Sequence, residues 1–155
     1  IEKLAICYLR LGFIPNHVPL DRKQLQTIEQ LMQLSKKMFL EKTKEKAKAL
    51  AQLLESKKGL DIVLLDVSEK TPIADIFVLV SSDSFIHSKA LEDYAREFLE
   101  KEGYKRLNPL NTFAENPWVL LDYGDIIVHI FKGEARAYYD IEKLWFDTKK
   151  IELGE

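Results

Sequence analysis

The sequence predicts an α/β domain, a mixed sheet flanked by helices, with a helical extension in front of it. Three observations carry that expectation. First, L-D-I-V-L-L-D-V (60–67) and A-D-I-F-V-L-V-S (74–81) are short, nearly continuous apolar runs. Both are too greasy for a sheet with one wet face, so helices should cover both sides. Second, apolar residues recur at helical spacing before and after these runs. Third, W-V-L-L-D-Y-G-D-I-I-V-H-I-F, from Trp118 to Phe131, holds two apolar runs separated at Gly124-Asp125 and reads as a hairpin. Strands interleaved with helices in this order give helices packed on a sheet.

Residues 1–40 read as a helical hairpin. A first short helix, carrying Leu4, Ala5, Cys7, Tyr8 and Leu11, ends near Gly12, and F-I-P-N-H-V-P-L turns the chain. Asp21 is an N-cap with Gln24 three residues on, as in a capping box. Leu25, Ile28, Leu31, Met32 and Phe39 follow as an apolar stripe expected to pack on a partner surface, the core domain or a second copy. The helix runs on through Ala47, Leu50, Ala51 and Leu54 to a stop at Gly59. Strand, Pro72 connection and strand come next. S-S-D-S then offers N-caps for a helix from about Phe85 to Glu102, with His87, Leu91, Tyr94 and Phe98 on one face and Gly103 at its end. A loop rich in Asn and Pro runs from Asn108 to Pro117. The hairpin follows, and a last helix spans about Glu134 to Phe146.

Placing Gly124 and Asp125 in the turn fixes the register. Tyr123 faces Ile126, Leu121 faces Val128 and Val119 faces Ile130, an apolar set that must be buried. The opposite face pairs Asp122 with Ile127, Leu120 with His129 and Trp118 with Phe131. That face is mixed, as expected where a surface is half covered or meets a partner. His129 is expected to be held by a carboxylate, with Asp122 as its diagonal neighbour.

Composition narrows the function. No apolar run approaches the roughly 18 residues needed to cross a membrane, and the first residues show no basic stretch leading into an apolar core, so no secretory signal is expected. The single cysteine, Cys7, makes no internal disulfide and fits a reducing, cytoplasmic setting. Charge is uneven. Residues 1–58 carry twelve Lys/Arg against six Asp/Glu, or +6, and residues 59–155 carry eleven against nineteen, or −8. The acidic part should repel nucleic acid and attract a basic protein. The basic part, with Lys42, Lys44, Lys46, Lys48, Lys57 and Lys58, reads as a solvated helix face, with phosphate contact as the alternative.

Catalysis finds little support. Two-metal phosphoryl transfer, the chemistry of nucleotidyltransferases, needs a Gly-Ser helix start and paired carboxylates on the adjacent strand. Here the helix start is Ser81-Ser82-Asp83, and Asp122 and Asp125 are pointed apart by the turn between them. There is no phosphate-cradling Gly-rich loop, no G-x-S-x-G and no C-x-x-C. His17, His87 and His129 lie on separate elements without ligand spacing, so no metal and no cofactor are expected.

The hairpin, followed by E-A-R-A-Y-Y-D-I-E-K-L-W, resembles the signature of the Iojap-like ribosomal silencing factors. D-I-V-L-L-D-V resembles that family's first strand, A-D-I-F-V-L-V-S-S-D-S the strand and helix start, and F-I-H-S-K-A-L the helix that follows. The resemblance covers roughly residues 42–152 in order. Ser82 stands where the family usually has glycine, and residues 1–40 match nothing in it. The division expected is therefore a helical extension over 1–40 and an Iojap-like domain over 41–155.

The resemblance implies a nucleotidyltransferase-like core without catalytic carboxylates and a non-enzymatic role. Such factors bind the large ribosomal subunit through its protein L-fourteen and block joining of the small subunit, lowering translation when nutrients are short. Mitochondrial and plastid relatives act in large-subunit assembly, and an assembly factor that binds ribosomal RNA through the basic N-terminal half is the alternative. A homodimer is the other association considered. The residues expected to meet the partner are Trp118 and Tyr123 as flat contact area, Asp122 and Asp125 toward Lys or Arg of the partner, and Arg136 and Tyr139 from the last helix.

Overall fold

The structure, a computed structural model, describes residues 21–110 and 113–153. The expected first helix and Cys7 lie outside the described residues. The chain divides into two compact units, residues 1–42 and 43–155. Helix α1 (Arg22–Ser56) contributes to both.

In the first unit the capping box forms as the sequence predicts. The Asp21 carboxylate accepts from the Gln24 amide at 2.8 Å, and the Asp21 amide donates to the Gln24 side chain at 3.0 Å. Two orphan donors at the helix start are thereby satisfied.

In the second unit the rest of α1 carries the predicted stripe. Ala47, Leu50, Ala51 and Leu54 are all buried. The helix ends by a different device from the one expected. Lys58, not Gly59, takes the left-handed conformation (φ 67°). Gly59 is required by space instead, because a Cβ there would lie 2.8 Å from both the Leu54 carbonyl oxygen and Val80 Cγ2.

Strands β1 (Leu60–Asp66), β2 (Ile76–Ser82), β3 (Trp118–Asp122), β4 (Ile126–Lys132) and β5 (Lys149–Ile151) form one sheet in the order β3-β4-β2-β1-β5. Only β2 and β4 are parallel, so the sheet is mixed. The central β2 is buried along its whole length, as its apolar run requires, while β1 buries only Leu64 and Leu65. The three-residue β5, with its two lysines, was not expected.

Helix α2 (Phe85–Lys101) starts at Ser84, whose side chain accepts from the His87 amide. Its buried positions are Ser88, Leu91, Glu92, Ala95 and Leu99, so the core-facing stripe is rotated from the predicted one. Phe98 packs partly buried on the core, but Tyr94 is exposed under the Lys57 ammonium, and His87 Nε2 lies 3.0 Å from the Lys57 carbonyl. The predicted last helix is two short ones, α3 (Ala135–Tyr139) and α4 (Ile141–Leu144), broken at Asp140, which is left-handed (φ 48°).

The sheet separates two apolar layers. On one side Leu50, Leu54, Leu91, Leu99, Val119, Leu121, Val128 and Ile130 make the larger core with α1 and α2. On the other, Leu65, Phe77, Leu79, Ile127 and Phe131 meet Ala135, Ile141 and Trp145 from the segment of α3 and α4.

Candidate docking face

The hairpin adopts the predicted register. Trp118 pairs with Phe131, Leu120 with His129 and Asp122 with Ile127, and the Tyr123 amide donates to the Ile126 carbonyl at 3.0 Å. Gly124 holds φ 82°, the left-handed value that makes glycine the natural residue at the turn.

On the face away from α1 and α2 the rings assemble into one cluster. Trp118 stacks on Phe131 with centroids 5.3 Å apart and on His129 at 5.8 Å, and Tyr139 from α3 lies 4.7 Å from Trp118. Phe77 meets His129 edge-on at 4.9 Å. Phe131 and His129 are buried, Trp118 is half-buried, and Leu120 and Tyr139 are exposed at 37% and 43%. A groove of about 330 Å³ opens beside them, lined by Asn108, Pro109, Leu110, Phe113, Trp118 and Leu120 among others.

His129 does not use Asp122. Its Nδ1 accepts from Trp118 Nε1 at 3.1 Å, and the Asp122 carboxylate accepts from the Gly124 amide at 2.9 Å. Burial pushes the imidazole down to about 4, so it is neutral at physiological pH. His129 Nε2 is buried without a hydrogen-bond partner. His129 holds the Trp118 indole by the Nδ1 bond and by the ring contact.

The predicted site residues divide into two groups. Trp118 and Tyr139 meet on the open face. Asp122 is half-buried on that same face at its turn end, and Asp125 is exposed in the turn, its carbonyl accepting from the Asp75 and Ile76 amides. Tyr123 is a correction. It points into the larger core, is 3% exposed, and its hydroxyl donates to Glu100 at 3.5 Å, so it offers no contact area. Burial, with the Glu100 charge, raises its phenol above the ordinary range. Arg136 is tethered internally to Glu142, Ser81 and the Asp61 carbonyl.

The sequence reading missed how the β3 edge is closed. The Asn108 side chain donates to the Leu120 carbonyl at 2.7 Å and accepts from the Asp122 amide at 2.9 Å, and the Leu107 amide donates to the Asp122 carbonyl at 2.7 Å. Arg106 adds bonds to Asn108, Pro109 and the Leu120 carbonyl, beside the buried Glu92 at 3.7 Å. Groups that would otherwise recruit another strand are occupied. The only legible hint was the Asn-Pro pair at 108–109.

The basic helix is partly neutralised. Lys44 pairs with Asp66 at 3.4 Å and Lys46 with Glu102 at 2.6 Å. Among the described residues no group of three or more His, Cys, Asp or Glu is placed to hold a metal ion, and no helix is long and apolar enough to cross a membrane.

A mixed sheet with a partly open aromatic face and a closed edge is an α/β domain with a candidate docking face. The chain belongs to the family described as ribosomal silencing factor during starvation, whose sequence model matches residues 40–155. A ribosomal silencing factor of Bacillus subtilis is 33% identical over 108 residues, covering 68% of this chain and 89% of that one. Another, from Halalkalibacterium halodurans, is 32% identical over 100 residues, covering 64% and 85%. The chloroplastic Iojap protein of Zea mays is 31% identical over 107 residues, which is 69% of this chain and 46% of that protein. A solved structure from Chromobacterium violaceum covers 66% of this chain and 84% of its own, with TM-score 0.60 and 35% identity. One from Bacillus halodurans covers 68% and 95%, with TM-score 0.57 and 29% identity.

Proposed function

We propose that this protein silences translation by binding the large ribosomal subunit through its protein L-fourteen and sterically blocking the small subunit, as nutrients run short. It acts in the cytoplasm, without catalysis and without a cofactor. Family membership supports the ribosomal role. The observation that carries the docking surface is the open face itself, where Trp118 and Leu120 on β3 and Tyr139 on α3 remain partly accessible. Asp122 and Asp125 flank it and supply attraction for a basic partner. An aromatic centre with a charged rim is the anatomy of a protein interface, the aromatics giving contact energy and the carboxylates on-rate and specificity.

The alternative, RNA binding through the basic helix, is less well supported because Lys44 and Lys46 already spend their charge on Asp66 and Glu102. The two differ in salt dependence, since phosphate binding falls steeply with salt. The deciding experiment is sedimentation of the protein with isolated large subunits, isolated small subunits and joined ribosomes, alongside the protein alone to register pairing with a second copy. Binding to large subunits only, with fewer joined ribosomes formed afterwards, is the expected result. Binding to small subunits, or no effect on joining, would count against it.

A further inference from the structure

The sequence groups Arg136 with residues that meet the partner, but its surroundings argue otherwise. Its Nε donates to Glu142 Oε1 at 2.7 Å, and one terminal nitrogen donates to Ser81 Oγ at 3.0 Å and to the Asp61 carbonyl. The side chain is only 13% exposed. These bonds run in three directions. Glu142 lies beyond the left-handed break at Asp140, so the first bond ties α3 to α4 across it. Ser81 is on β2 near its end. Asp61 is itself left-handed (φ 48°), in the irregular stretch of β1 between Leu60 and Val63. One guanidinium therefore joins the α3 and α4 segment to two strands of the sheet.

That segment needs such a tie. Neither α3 nor α4 contains a buried residue, and at five and four residues neither is stable alone. Ala135, Ile141 and Trp145 pack against the sheet and seat the segment, each only partly buried. Tyr139 stands one turn after Arg136, on the same side of α3, and its ring lies against Trp118. Charge points the same way. A basic partner would repel a free guanidinium, whereas here Glu142 neutralises it.

We propose that Arg136 is a positioning residue: it holds Tyr139 against Trp118 so that the docking face is formed before the partner arrives, and does not touch the partner itself. This rests on the docking reading above. Preformed contact surfaces bind more tightly because less is ordered at the moment of binding. A lysine would keep the charge but lose the geometry, because only the planar fork of arginine reaches all three acceptors.

The test uses the full chain with Arg136→Ala, Arg136→Lys, Tyr139→Ala and the Arg136→Ala/Tyr139→Ala pair. Two quantities are read: the nuclear magnetic resonance signal of the Trp118 indole N–H, which needs no ribosome, and the affinity for isolated large subunits. Both Arg136 variants should shift the indole signal and weaken binding by about tenfold. In the Tyr139→Ala background, Arg136→Ala should add almost nothing. An unmoved indole signal, or a full additional loss in the double variant, overturns the proposal and returns Arg136 to direct contact. Should Tyr139→Ala bind like the parent, the docking reading fails instead, and the indole signal alone still decides whether Arg136 positions Tyr139. If Arg136→Ala does not fold, Glu142→Met removes the acceptor of one tie at similar length and should move the indole signal in the same direction; no movement would again overturn the proposal.

Discussion

On the side of the sheet covered by α1 and α2, Leu50, Leu54, Leu91 and Leu99 are completely buried, packed between two long helices and the strands. On the other side two short helices bury none of their own residues, and Leu120 and Tyr139 stay partly in water. The first side therefore supplies most of the stability, since apolar area removed from water is what it maximises. The second keeps apolar surface uncovered at some cost in solubility, which is worthwhile where a partner will cover it. On the docking reading, stability and recognition are separated by the thickness of one sheet.

The largest effect should come from the covered side. Leu54→Ala is expected to cost about 3–5 kcal/mol in denaturant unfolding, because helix and sheet close only partly over the cavity. Tyr139→Ala, on the open side, should cost about 1 kcal/mol or less. Equal losses would erase the distinction between the sides.

Next in size is a pH effect confined to the open side. Unfolded His129 takes up its proton near 6.5, but the buried ring does so only near 4. The unfolded chain thus binds more protons between those values, so stability is complete above pH 6.5 and is lost as pH falls toward 4. The span corresponds to on the order of 3 kcal/mol. His129→Phe should remove this part of the acid sensitivity while changing stability at pH 7 by about 1 kcal/mol, the worth of the Trp118 hydrogen bond. Thermal melts of both proteins across the window would show it. Parallel pH curves would mean that the imidazole is not desolvated as described.

A smaller change is expected at the β3 edge. Asn108→Ala should cost about 1–2 kcal/mol, since it leaves the Asp122 amide unpaired and the Leu120 carbonyl with only its longer bond from Arg106. Hydrogen exchange at the Asp122 and Leu107 amides should quicken, and the variant should self-associate more than the parent at equal concentration. Unchanged exchange would show that the clasp does not close the edge.

What the sequence disclosed depended on how local the cause was. The hairpin register was legible because Gly124 marks the turn and the side-chain period of two does the rest. The Asp21–Gln24 capping box was legible because its bonds span three residues. The stripe from Ala47 to Leu54 followed from helical spacing. Non-local causes were hidden. β5 has no apolar alternation and exists only because β1 pairs with it. The break at Asp140 carries no glycine to announce it. Glu92 is buried on α2, where a carboxylate reads as solvent-facing, because Arg106 reaches it from a distant loop. The docking face was legible in part. Trp118 and Tyr139 were identified and do meet, but Tyr123 turned inward with its strand, and the partner of His129 was the indole beside it rather than the carboxylate. Gly59 was identified for the wrong reason. Its need for space depends on Val80, some twenty positions away, and no local pattern reveals that.

The central claim, that the open face docks on the large subunit, is tested most directly by Leu120→Glu. Leu120 is exposed on β3 and lines the groove beside Trp118, so a carboxylate there stays in water and the melting temperature should shift by no more than about 4 °C. In a complex that carboxylate would be forced into the apolar centre of the interface, unpaired and desolvated. Binding to isolated large subunits, measured by co-sedimentation against the parent, should fall by at least about tenfold. A folded Leu120→Glu protein that sediments with large subunits as the parent does would contradict the account.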